Sequence, residues 1–394
     1  MQSTNEQSVA KARGTALKVI LLVAILCAGA LIFWQSIPNI SENYNTNVKL
    51  GEKFVRTSNL DRQLLSGVQS VSDNGSTYVR IGGKPIGISV TAGGLIVLGQ
   101  CEVLTDSGAV YPAKDSKIEI GDIITSINGT DVTSIYQLKK ILDEVVSGSV
   151  SIEILRDGNT FDTQITPAVD RLTGQKKLGL MLKEDVGGVG TLTFVTQDGK
   201  FGALGHYIID VDSGLSDELN SGNIYSTSVD DVIKGERGKA GGLVADVNRL
   251  STPIGEVTQN TNIGIYGDYN AEYDGDLYRI AAKGEAKPGA AQVFTTIDGS
   301  EPKFYDIDIV KVVSQSEVGE KGMVISVRDK ELLEKTGGIV QGMSGSPIVQ
   351  NGILVGAVTH VFVQDPTRGY AVHSRFMYDY ATEAGAYGSM QNAA

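Results

Sequence analysis

Ser344 sits in the run Gly342-Met343-Ser344-Gly345-Ser346-Pro347, a serine held between glycines and closed by a proline. A turn that presents a serine hydroxyl needs backbone angles that glycine adopts without steric cost. In such a turn the N–H groups of Gly342 and Ser344 are placed to receive the oxygen of a tetrahedral intermediate. A serine hydroxyl attacks a carbonyl at neutral pH only when a base takes its proton, so the chemistry at issue is acyl transfer. Six residues alone read equally well as a plain turn between strands. What decides the matter is whether the chain also supplies a base.

Only three histidines are present, His206, His360 and His373. The alternating stretch Gly190–Val195 meets a second strand at Asp198-Gly199, and that strand runs directly into Gly205-His206. An imidazole at a strand end beside glycine can face a cleft, which favours His206 as the base. His360 follows Ser344 by sixteen residues, beyond an Asn351-Gly352 hairpin, and His373 lies in a polar run near the end of the chain. A third group would fix the imidazole tautomer. Spacing does not choose among Asp210, Asp212, Asp306, Asp308 and Asp329.

The elements around these residues read as mainly β. Glycine is abundant, at 48 of 394 residues, and short runs rich in valine, isoleucine and threonine recur between turn signals. A net charge of −12 argues against nucleic acid as a partner. Two cysteines, Cys27 and Cys101, offer no disulfide framework. The histidine spacing matches no zinc motif, so neither a metal nor any other cofactor is expected.

Residues 1–18 are polar, with Lys11, Arg13 and Lys18 ahead of an uncharged apolar run from Val19 to Trp34. That pattern predicts a cytoplasmic N-terminus, a transmembrane helix over 19–37 and an exported body. A cleaved signal peptide is the competing reading, with Ala28-Gly29-Ala30 as the cleavage site. Residues 38–76 read as a polar linker.

From residue 77 to 183 the order of elements is that of a PDZ domain. Its signature is Gly121-Asp122-Ile123-Ile124-Thr125-Ser126-Ile127-Asn128-Gly129, a buried strand entering an Asn-Gly hairpin. A helix follows, with Thr133 or Ser134 as N-cap and Ile135, Leu138, Ile141, Leu142 and Val145 on one face. PDZ domains take a peptide as an added strand beside that helix. Pro85, Ile86, Gly87 and Ile88 are the segment expected to grip it. The remainder, 184–394, reads as the catalytic domain, with strands over Ala291–Ile297, Phe304–Val313 and Gly322–Val327.

The serine turn and the hairpin that follows it resemble the nucleophile region of chymotrypsin-like β-barrel peptidases, and His206 enters as their base does. The longer stretches FGALGHYIID, beginning at Phe201, and RDKELLEKTGGIVQGMSGSPIVQNGILVGAVTHVFVQDPTRGY, from Arg328 to Tyr370, are similar to the stage IV sporulation protein B peptidases. The resemblance implies Ser344 as nucleophile, His206 as base and Asp329 as the acidic member. It also implies an enzyme exported into the space between the forespore membranes and released there by cleaving its own N-terminal region. Such an enzyme cuts a membrane-bound regulator of an intramembrane protease, which then matures a late sigma factor. The segment Val372–Arg375 departs from the family pattern. A non-catalytic PDZ adaptor and a general envelope quality-control protease are the alternatives. A base histidine beside the serine turn disfavours the first, and a PDZ segment ahead of the catalytic domain disfavours the second.

Overall fold

The computed structural model describes residues 77–391, apart from 217 and 314–317. The expected cytoplasmic segment 1–18, anchor 19–37 and linker 38–76 lie outside the described residues. Among the described residues no helix is long and apolar enough to cross a membrane.

The chain starts with two strands, β1 (Tyr78–Ile81) and β2 (Pro85–Thr91), and then enters a separate module. That module runs β3 (Leu95–Gln100), β4 (Val103–Thr105), β5 (Gly108–Val110), β6 (Ile123–Ile127), β7 (Thr130–Asp131) and α1 (Ile135–Glu144). It finishes with β8 (Val150–Arg156), β9 (Asn159–Ile165), β10 (Ala168–Val169), β11 (Lys176–Lys177) and β12 (Leu180–Lys183). The main sheet of the module has the order β12-β3-β6-β8-β9, with β7 paired to β6. Asn128 and Gly129 both take positive φ, 52° and 74°, as a two-residue hairpin turn requires. Ser134 caps α1 by accepting from the Gln137 N–H at 3.2 Å. Leu138 and Leu142 are buried, and Ile135, Ile141 and Val145 pack against the same cluster.

The chain returns in β13 (Val186–Val195), β14 (Lys200–Ala203), β15 (Ser221–Ser226), β16 (Val229–Ile233), β17 (Gly242–Ala245), β18 (Gly255–Thr261) and β19 (Gly264–Tyr269). Then come β20 (Leu277–Ile280), β21 (Gly289–Thr295), β22 (Lys303–Val312), β23 (Met323–Val327) and α2 (Lys330–Thr336). The last elements are β24 (Pro347–Gln350), β25 (Ile353–Val361), β26 (Arg368–His373) and α3 (Ser374–Gln391).

One continuous sheet links fourteen of these strands, and two extra pairings close it twice. Pairing of β14 with β13 closes a six-stranded barrel of β13, β14, β19, β18, β15 and β2. Pairing of β25 with β26 closes a second, of β25, β24, β21, β22, β23 and β26. Strands β1 and β20 bridge the two. Each barrel has its own apolar core, Ile88, Phe201 and Ile265 in the first and Ile307, Ile325 and Val358 in the second. Helix α3 packs against strands of both barrels and seats Met377 and Ala381 beside Val79, Phe194 and Leu354.

The boundary expected at 77–183 is therefore displaced. Val90 pairs directly with Val186 across an antiparallel ladder, so β2 and β13 form a hairpin into which the PDZ-like module is inserted. Strands β1 and β2 belong to the barrels. The module also packs on its host, since Ile96 and Ile123 join the core of the first barrel. Lys183 reaches Asp210 at 2.5 Å and Asp212 at 3.2 Å across the junction.

Candidate active site

The serine turn belongs to the second barrel, between α2 and β24, and it is seated on β13 of the first. Thr191 N donates to the Ser344 carbonyl at 2.9 Å, and the Thr191 and Thr193 hydroxyls donate to the carbonyls of Gly342 at 2.8 Å and Gly345 at 2.7 Å. Only glycine fits at 345. A methyl there would stand 2.1 Å from Thr191 O and 2.5 Å from Leu204 N, and its φ is +93°. Among the described residues neither the Gly342 nor the Ser344 N–H is used in a protein hydrogen bond, whereas those of Met343, Gly345 and Ser346 all are. Both donors expected to receive an oxyanion are thus available.

His206 arrives from the first barrel on the backbone that flanks Gly345. Leu204 and Gly205 both hold left-handed φ, 69° and 82°, and for leucine that conformation is rare. Strain of this kind persists only where surrounding packing enforces it. Here Gly205 is pressed against Val358 and Thr359 of β25. The His206 Nδ1 lies 2.7 Å from the Tyr207 carbonyl. A carbonyl only accepts, so Nδ1 carries the proton and Nε2 keeps its lone pair. That is the tautomer a general base needs. Burial lowers the pKa of His206, and the His360 ring lowers it further. The Tyr207 carbonyl and Glu320 oppose both.

Ser344 Oγ donates to the Thr359 carbonyl at 2.8 Å rather than to His206. Catalytic contacts of this type are often loose before substrate binds. The His360 ring lies against His206, with centroids 4.8 Å apart and planes tilted by 40°. His373 is elsewhere, lining a cavity of about 610 Å³ together with Ala281, Val313 and Phe376.

The aspartates considered from the sequence are engaged elsewhere. Asp329 is the N-cap of α2, its Oδ1 accepting from Leu332 N at 3.0 Å and its Oδ2 from Asp306 N at 3.4 Å. Asp308 pairs with Arg328, and Asp210 and Asp212 hold Lys183. Among the groups acting on the His206 pKa the one carboxylate is Glu320, whose charge raises it and which spacing did not single out. Glu320 precedes β23 and Asp329 follows it, so a strand separates them by on the order of 15 Å. The sequence held no local signal for Glu320, because its partner Thr359 lies 39 residues away.

The expected peptide-gripping segment is also corrected. Pro85, Ile86, Gly87 and Ile88 lie in β2, which pairs with β13 on one side and β15 on the other. Ile86 and Ile88 are buried in the barrel core, and no edge is open to a further strand. The open edge beside a helix is β12, the terminal strand of the module sheet. Helix α1 is tied to the chain on either side of that strand, Ile135 N donating to Oε1 of Glu184 just after β12 at 2.5 Å and Lys176 Nζ of β11 donating to Val145 O at 2.5 Å. Among the described residues no cluster of histidine, cysteine and carboxylate side chains could hold a metal.

No curated protein matches the chain. Among solved structures, the PDZ domain of an SdrC-like protein from Listeria monocytogenes is similar at 26% identity, covering 24% of this chain and 90% of that one with a TM-score of 0.19. An inactive form of the Rv3671c protease is similar at 14% identity, covering 50% of this chain and 85% of that one with a TM-score of 0.28. The profile of the SpoIVB peptidase S55 family matches residues 174–378, just over half of the chain and the span that holds both His206 and Ser344. A β-barrel body carrying a glycine-flanked serine turn and a neutral histidine is that of a serine peptidase. More particularly, the chain belongs to the SpoIVB peptidase S55 family.

Proposed function

We propose that the protein is a serine endopeptidase of the two-barrel, chymotrypsin-like kind, in which Ser344 attacks the scissile carbonyl and His206 takes its proton at Nε2. The N–H groups of Gly342 and Ser344 receive the oxyanion. His206 then returns the proton to the leaving amine, and water repeats the sequence on the acyl-enzyme. The observation that carries this reading is the junction at Gly345, where the nucleophile turn of one barrel backs onto Leu204, two residues before the base of the other.

Family membership supports the wider reading. The enzyme, anchored through 19–37, works on the exported side, in the intermembrane space of the forespore, and cleaves its own N-terminal region. It cuts a membrane-bound regulator and so frees an intramembrane protease that activates a late sigma factor. The edge of β12 beside α1 supports a peptide-binding role for the PDZ-like module, because an extended chain can add there by main-chain hydrogen bonds. Purified Ser344→Ala protein should be folded yet cleave neither itself nor the regulator, a loss on the order of 10⁶ in kcat. Cleavage at the wild-type rate would refute the assignment.

A further inference from the structure

His373 has no part in the steps above, and the cavity it lines is a second feature of the molecule. Three pieces of chain enclose that space: the turn joining β20 to β21, the end of β22 at Val312 and Val313, and the corner where β26 passes into α3. Val355 of β25 lines it as well. Val355 and Thr359, whose carbonyl holds Ser344, are four residues apart on that strand, a separation on the order of 13 Å. The cavity is therefore distinct from the serine turn. Its volume of about 610 Å³ falls among those of pockets that bury small ligands, about 300–1,000 Å³.

Its walls are of two kinds. Ala281, Ala286 and Val355 are buried, and together with Val312 and Phe376 they present apolar surface. Lys283, Lys287 and Arg375 bring positive charge to the same space. Arg375 is already paired, its Nε 2.9 Å from Asp379 Oδ1, and Asp379 is the one carboxylate among the described residues that line the cavity. Glu285, on the same turn as the lysines, is committed to Arg279 at 2.9 Å and to the Ala282 N–H at 2.8 Å. Among the described residues neither Lys283 nor Lys287 forms an ion pair. The backbone of Lys287 is nonetheless fixed, because the buried Gln350 side chain accepts from its N–H and donates to its carbonyl, both at 3.0 Å. His373 adds no charge at neutral pH, since burial lowers its pKa. In a chain of net charge −12, two lysines without acidic partners beside apolar walls fit a ligand with an apolar body and one anionic group. We propose that this cavity binds a small amphipathic acid, its carboxylate received by Lys283 and Lys287 and its apolar body lying against Val355 and Phe376. A carboxylate held in this way makes charge-assisted hydrogen bonds, which supply orientation while the walls supply burial.

This site stands independently of the roles given to Ser344 and His206, so the test uses the full-length chain carrying Ser344→Ala, which cannot shorten itself. A diazirine-bearing phenylbutyrate is photo-cross-linked to that protein in lipid nanodiscs, and the adducts are mapped by mass spectrometry. Adducts should concentrate on the peptides that hold Val355 and Phe376. Excess phenylbutyrate should compete them away, whereas phenylbutanol, which has the same apolar body and no charge, should not. Replacing both lysines, Lys283→Gln with Lys287→Gln, should lower the yield on the order of tenfold through loss of the charge-assisted contacts. Lys311→Gln, at an exposed position of β22 that does not line the cavity, should leave the yield unchanged. Adducts scattered over the surface, equal competition by the alcohol, or undiminished labelling in the folded double variant overturns the proposal. So does competition by a peptide with an apolar C-terminal residue where phenylbutyrate fails, because the occupant is then a chain end. Should the double variant fail to fold, the comparison of acid with alcohol decides.

Discussion

At the residue scale the site combines a strained approach with a neutral imidazole. Burial lowers the pKa of His206, so the working imidazole persists below the ordinary histidine value of about 6.5. The acid limb of kcat/KM should therefore lie below about 6.5, and His206→Ala should abolish cleavage while His373→Ala leaves most of it. All three histidines are depressed by burial. The unfolded chain then binds protons before the folded one does, and stability falls as pH drops through about 6.5. Thermal melts at stepped pH check the sign. Asp329→Ala should cost about 1 kcal/mol through loss of the α2 cap, read as a lower Tm. The turn that carries Ser344 and the strand end that carries His206 were legible in the sequence because local turn and strand patterns announce them. Glu320 was not, since only the register of β23 against β26 and the bulge between Val358 and Val361 carry it to the site.

At the element scale the instructive case is β2. Its run Ile86-Gly87-Ile88 reads as a strand from composition, and it is one. Which sheet it joins is decided by partners about a hundred residues later in β13, and no local pattern encodes that. Ile88→Ala should accordingly destabilise the first barrel by about 2–5 kcal/mol, as for a buried aliphatic core position, measured by denaturant unfolding. Peptide binding should be read elsewhere. Addition of an extended peptide with an apolar C-terminus should shift the amide resonances of Leu180–Lys183 and α1 and leave those of Pro85–Ile88 in place. Helix α3 was likewise unseen in the sequence, where alternating small and aromatic residues give only a weak amphipathic signal. Its role becomes plain where Met377 and Ala381 fill the seam between barrels.

At the scale of the whole molecule, the protein is two barrels with a PDZ-like module let into a hairpin of the first. Because Val90 and Val186 are direct partners, the module leaves and re-enters at one point. Replacing residues 92–185 by a tight turn should give a folded enzyme. Its melting temperature should be lower, since Ile96 and Ile123 leave the shared core and the Lys183–Asp210 ion pair is lost. Ser344 should still react with a fluorophosphonate, because the hydrogen bonds holding its turn come from the barrels. That Ser344 is the nucleophile activated by His206 is the claim on which the rest depends, and mass-spectrometric mapping of a fluorophosphonate adduct tests it most directly. The predicted result is a single adduct on Ser344, lost in His206→Ala and retained in His360→Phe. An adduct on another residue, or an undiminished Ser344 adduct in His206→Ala, would contradict it.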